Sequence, residues 1–140
     1  MSPGRSGVLI VEDNPGDARL VEEALKDTGL AVDVTSVSSG EDGIAFLRRE
    51  GAFAVAYRPD LVILDINLPR MDGREFLSCA GDLLAGAQVV VLSGSPEMAG
   101  HLGIQCTTLM KPGTMEEFDA MAATLKGILT GAPRPVAENR

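Results

Sequence analysis

Short, continuous apolar runs recur along the chain, each closed by a polar or charged residue. Val8 to Val11 (VLIV), Leu61 to Leu64 (LVIL) and Gln88 to Leu92 (QVVVL) are strand-sized and show no alternation, the pattern of parallel strands buried on both faces. Val32, Val34 and Val37 make a shorter strand with some alternation, and Cys106 to Met110 (CTTLM) a fifth. Between these runs the period lengthens to that of a helix. Leu20, Val21, Ala24 and Leu25 predict a helix that begins at Pro15 and stops near Gly29. Ser39-Gly40-Glu41 opens a second, with Ile44 and Leu47 on one face, Phe46 beside them, and Arg48, Arg49 and Glu50 near its end. A third covers about Gly73 to Leu84, and a weak, short one Pro96 to Leu102. In the last, capped by Thr114, the residues Met115, Phe118, Met121, Ala122, Leu125 and Ile128 share an apolar stripe.

Strands alternating with helices predict an α/β fold: a doubly wound parallel sheet with helices on both faces. Gly51 to Arg58, with Phe53 and Tyr57, reads as a loop before the central strand. Thr130 to Arg140 holds two prolines and no periodicity. The expected organisation is an N-terminal arm over residues 1–7, one domain over 8–129 and a tail over 130–140, with no internal repeat.

Composition narrows the chemistry. The 140 residues suffice for one domain with a core. A net charge of −8 argues against nucleic acid, which needs a basic footprint, and against anionic membrane surfaces. No apolar run reaches transmembrane or signal-peptide length, so a cytoplasmic protein is expected. Cys79 and Cys106 are isolated thiols expected to fill the core. With His101 the single histidine, a zinc site or a nucleophile–histidine triad has poor material.

What remains is a coincidence of position. Parallel strands present their carboxyl ends on one edge, where open α/β sheets gather their chemistry. Glu12, Asp13, Asp65, Ser93 and Lys111 each follow directly after an apolar run, and so meet on that edge. A charged strand end taken alone is ordinarily just solvated or in a salt bridge. Five such ends in register point to a site instead. Three converging carboxylates repel unless a cation lies between them, and an all-oxygen set suits a hard ion such as Mg²⁺. Lys111 adds a second positive charge and Ser93 a hydroxyl. That set suits phosphoryl transfer to a carboxylate, with Asp65 as the attacking group.

With VEDN at 11–14, LDINLPRMDG at 64–73, LSGS at 92–95 and MKP at 110–112, the chain resembles the receiver domains of two-component response regulators over about Val8 to Leu129. VEDNPGDARLVEEAL and DINLPRMDGREFL are most similar to the stand-alone regulators associated with phytochrome-type histidine kinases. The resemblance implies a flavodoxin-like (βα)5 fold with strand order 2-1-3-4-5. It implies Asp65 as phosphoacceptor from a sensor histidine kinase, and Mg²⁺ on Asp13, Asp65, the backbone carbonyl of Asn67 and, through water, Glu12. Ser93 and Lys111 would close on the phosphoryl group, the Lys111–Pro112 bond would be cis, and a homodimer is a further implication. Two departures stand out. Thr108 occupies the place of an aromatic switch residue, and the segment between Ser93 and Lys111 is short by about one helical turn, which implies a shortened fourth helix. Arg48 to Pro59 is longer than in a minimal receiver, as in the phytochrome-associated group.

Three readings follow. The first is a receiver that signals through protein contacts or phosphate relay to a downstream partner, because too little chain follows Leu129 for an output domain. The second is an aspartate-nucleophile phosphatase, which needs a proton-donating acid where this chain has Asn67. The third is a pseudo-receiver, a binding module whose output face is altered at Thr108 and the short fourth helix.

Overall fold

The computed structural model describes residues 5–94 and 107–131. Five parallel strands form one sheet in the order β2-β1-β3-β4-β5: β1 Arg5–Val11, β2 Ala31–Val37, β3 Leu61–Asp65, β4 Gln88–Ser93 and β5 Thr107–Met110. Among the described residues the helices are α1 Pro15–Asp27, α2 Gly40–Arg48, α3 Gly73–Ala80 and α4 Met115–Leu129. The expected α/β sheet and its strand order are therefore present. The predicted helix over Pro96–Leu102, the shortened fourth helix, His101 and Cys106 lie outside the described residues.

The unbroken apolar runs are explained by the period of two along each strand. Val8, Ile10, Leu61, Ile63, Val90 and Leu92 point to one face and pack with Val21 and Leu25 of α1 and Met121 and Leu125 of α4. Leu9, Val11, Val62 and Leu64 point to the other and pack with Ile44, Phe46 and Leu47 of α2 and Phe76 and Ala80 of α3. Because β1 and β3 are sealed on both sides, their register is fixed: a slip by one residue would exchange the two cores. Each helix starts on a side-chain cap. Asn14 accepts from the N–H of Asp17, Ser39 from Asp42, Asp72 from Glu75 in a reciprocal capping box, and Thr114 from Glu117.

Several expectations need correction. β1 begins at Arg5, pairing with Ala31, three residues before the apolar run. The third helix stops at Ala80 because Gly81 takes φ 43°, ψ −120°, and Gly81–Leu84 continues as a 3₁₀ turn. Cys79 is exposed: it lies about 100° from the centre of the Gly73–Phe76–Ala80 stripe that α3 buries. Met115 is 72% exposed, since the first turn of α4 stands clear of the core while Met121 and Leu125 are buried. The Lys111–Pro112 bond is trans, as there are no cis peptide bonds among the described residues. The trans form is the lower in energy even before proline, by about 0.5–1 kcal/mol, and from it Lys111 already reaches the acidic residues.

The loop before β3 is strapped to the sheet by one phenol. Tyr57 Oη lies 2.8 Å from Val8 O, 2.9 Å from Asp33 O and 3.0 Å from Thr35 Oγ1. A phenol has one proton, so it donates to a carbonyl while the Thr35 hydroxyl can donate to it. Burial pushes the phenol above its ordinary value, against the smaller opposing effect of these hydrogen bonds. The ring lies over Gly7, where a Cβ would come within 2.7 Å of Tyr57 Cδ1. Phe46 meets both Phe53 and Tyr57 edge to face at 5.4 and 5.3 Å. Tyr57→Phe should destabilise the fold by about 1–3 kcal/mol, since half-buried acceptors lose their donor, as measured by urea denaturation.

Candidate functional site

The carboxyl ends of the strands carry the polar residues. Glu12 follows β1 and is 3% exposed, Asp65 ends β3 at 3%, and Ser93 ends β4 at 1%. Asp13 is exposed on the turn into α1, and Lys111 follows β5. Backbone bonds tie these exits together. Glu12 donates to Val37 O at 3.0 Å, Ile66 to Leu92 O at 3.0 Å and Lys111 to Ser93 O at 2.9 Å. The Asn67 N–H donates to Asp65 Oδ1 at 3.0 Å, which fixes the carboxylate, and Gly73 N–H to Ile66 O at 3.1 Å, which closes the loop.

Packing from the neighbouring helix holds that loop. Met71 lies over Gly40 at the start of α2, where a Cβ would meet Met71 Sδ at 2.7 Å. Arg70 reaches Glu41 at 3.5 Å. Beside Glu12 and Asp13 the surface opens into a cleft of about 560 Å³, lined also by Arg19, Glu22, Ser36 and Asp42.

Lys111 is the hub. Its Nζ stands 2.9 Å from Asp17 Oδ2, 3.2 Å from Glu12 Oε1 and 3.4 Å from Asp65 Oδ2. Burial opposes its charge, but the hydrogen bond it donates to Asp17 and the charges of Asp65 and Glu12 prevail and hold its pKa above the ordinary lysine range. Glu12 is pushed up from 4.5 to about 7, first by burial and then by hydrogen bonding and repulsion from Asp65; the Asn14 N–H and Lys111 act the other way. Glu12, Asp13, Asp65, Ser93 and Lys111 thus share one rim, as the strand-end pattern predicts, with Asn67 on the same loop. Thr108 lies on β5 opposite Val91. The sequence pattern does not bring out Asp17 as a member. Its signal was spacing: three residues after the Asn14 cap, it lies in the first turn of the helix leaving β1 on this edge.

The residues fit a hard cation. Carboxylate oxygens of Glu12, Asp13 and Asp65 lie within 4.8 Å of one another. Among the described residues Glu12 Oε1 is buried without a hydrogen-bond partner, with the Lys111 ammonium 3.2 Å away. One ammonium faces three carboxyl groups, Asp13 adds a fourth to the rim, and the donors are all oxygen.

This fold and this rim define a signalling class. The response regulator receiver domain family matches residues 8–122, and the chain belongs to that family. It is similar to the response regulator Rcp1 of Synechocystis sp., 41% identical over 71 residues, which are 51% of this chain and 48% of that protein. The cell cycle transcriptional regulator CtrA of Caulobacter vibrioides is 33% identical over 65% of this chain and 36% of its own length. The chain thus spans half or less of these two relatives. Among solved structures, the phosphorylated cyanobacterial phytochrome response regulator RcpA superposes with a TM-score of 0.78 at 34% identity, over 94% of this chain and 99% of that one. The Mn²⁺-bound form of Rcp1 follows at 0.74 and 30%, over 92% and 97%. The pseudo-receiver alternative finds no support. Among the described residues no helix is long and apolar enough to cross a membrane.

Folding raises the proton affinity of Glu12, so its carboxyl binds a proton in the native state between pH 4.5 and about 7 where the unfolded chain has released it. Its contribution to stability falls as pH rises through that window. A cation must displace the same proton. Mg²⁺ affinity, measured by calorimetry, should rise roughly tenfold from about pH 6 to about pH 8 with proton release, and Glu12→Gln should flatten that dependence.

Proposed function

We propose that Asp65 is the phosphoacceptor of a two-component pathway, taking its phosphoryl group from a phosphohistidine on a sensor histidine kinase of the phytochrome type. The carrying observation is the placement of Asp65: buried, held by the Asn67 N–H, 3.4 Å from the Lys111 ammonium and grouped with Glu12 and Asp13. An Asp65 oxygen attacks phosphorus, the new O–P bond forms as the N–P bond breaks, and the imidazole leaves with the electron pair. Lys111 pairs with the transferred oxygens, and the Ser93 hydroxyl, on the neighbouring strand end, binds another.

The cation would be held by Asp13, Asp65 and the Asn67 carbonyl, with Glu12 acting through water. Mg²⁺ bound there supplies positive charge against the phosphoryl oxygens. A Mn²⁺-bound form of Rcp1 and a phosphorylated form of RcpA support both parts of this reading.

The switch is a population shift. A group carrying about two negative charges replaces one carboxylate, which favours the arrangement in which Lys111 and Ser93 close on it. The working unit is the domain that runs from β1 at Arg5 to the end of α4 at Leu129. It acts in the cytoplasm through protein contacts, with a downstream protein, a phosphotransfer partner or a second copy of the chain as the receiver of the signal.

Acetyl phosphate or phosphoramidate with Mg²⁺ should add one phosphoryl group to the native chain by intact mass, and none to Asp65→Asn. An adduct that persists in Asp65→Asn removes Asp65 from the central role.

A further inference from the structure

We infer that Asp17 is the resting dock of the Lys111 ammonium, a positioning residue that competes with a phosphorylated Asp65 for that charge and so sets how tightly the phosphoryl group is held. The inference rests on the phosphoacceptor reading above.

Three carboxylates surround the ammonium, and only Asp17 is both the nearest, at 2.9 Å, and in hydrogen-bonding alignment. Asp65 is half an ångström farther away, and Glu12 Oε1, at 3.2 Å, receives no hydrogen bond among the described residues. The dock is fixed at its base. The Asp17 N–H donates to Asn14 Oδ1 at 3.0 Å, so the cap that starts α1 also places this carboxylate over the rim. The lysine is anchored at its backbone by the bond to Ser93 O, so the ammonium can change partner by side-chain rotation alone.

The Asp17 side chain is 31% exposed and the Lys111 side chain 25%, so water screens this pair more than it screens the 4% exposed Asp65. With one charge on each acid, the better hydrogen-bond geometry keeps Lys111 at Asp17. Phosphorylation raises the charge beside Asp65 to about two in the drier position, and the balance reverses. Asp17 therefore weakens the phosphoryl-bound arrangement by the amount it stabilises the resting one.

The test uses the full chain at saturating Mg²⁺ with beryllofluoride, which stands in for the phosphoryl group on a carboxylate, titrated by fluorine NMR. Asp17→Asn should bind it about tenfold more tightly than the native chain, the scale of one charge-assisted hydrogen bond no longer in competition. In a Lys111→Met background the Asp17→Asn substitution should change binding less than twofold, and Asp17→Glu should stay near native affinity because it keeps the competing charge. Asp17→Ser replaces Asp17→Asn if the latter does not fold. Equal or weaker binding by Asp17→Asn, a gain that survives loss of the lysine, or a Glu variant as tight as the Asn variant overturns the inference while leaving Asp65 as acceptor. No adduct on the native chain overturns the phosphoacceptor reading and this inference with it.

Discussion

The structure depends on an imbalance of charge that the sheet imposes. Parallel strands must end on the same side, so four carboxyl groups and one ammonium crowd a single rim, and two of the acids are almost fully buried. Such a cluster is unfavourable by itself. It persists because β1 and β3, sealed by helices on both faces, cannot relax without disturbing two cores at once. The stress appears in the raised proton affinity of Glu12 and in the ammonium held charged between three acids. A site built this way is ready for a cation and for an incoming anion whose charge the ammonium can follow.

The helices contribute differently to that rim. α1 supplies a carboxylate through its capping turn, whereas α2 supplies a surface: Gly40 leaves room for Met71, and Glu41 meets Arg70, so the loop after Asp65 is held from outside. α4 supplies mainly the seal beneath the β5 side, through Met121, Ala122 and Leu125.

Strands were the most legible part of the sequence, because a parallel strand buried on both faces has no other composition available to it. VLIV, LVIL and QVVVL each led directly to a site residue, and the strand-end pattern brought Glu12, Asp13, Asp65, Ser93 and Lys111 to one edge without coordinates. Side-chain direction was less legible. Asp17 was hidden because a helix N-terminus explains an acid without any partner. Cys79 and Met115 were misplaced because residue type outweighed position, one off the buried stripe of a short helix and the other on a turn beyond the core. The end of α3 was missed because Leu83 and Leu84 still pack after Gly81 has left helical geometry. The isomer of the bond before Pro112 had no local signal at all.

Tyr57 carries a consequence of another kind. It is the chain's single tyrosine, and there is no tryptophan, so its phenol dominates the near-ultraviolet absorption and emission of the whole molecule. That chromophore reports from the strap across β1 and β2, about 13 Å along the strand from Glu12. Intrinsic fluorescence therefore follows detachment of the strap during unfolding, and events at the acidic rim need a label of their own to be seen.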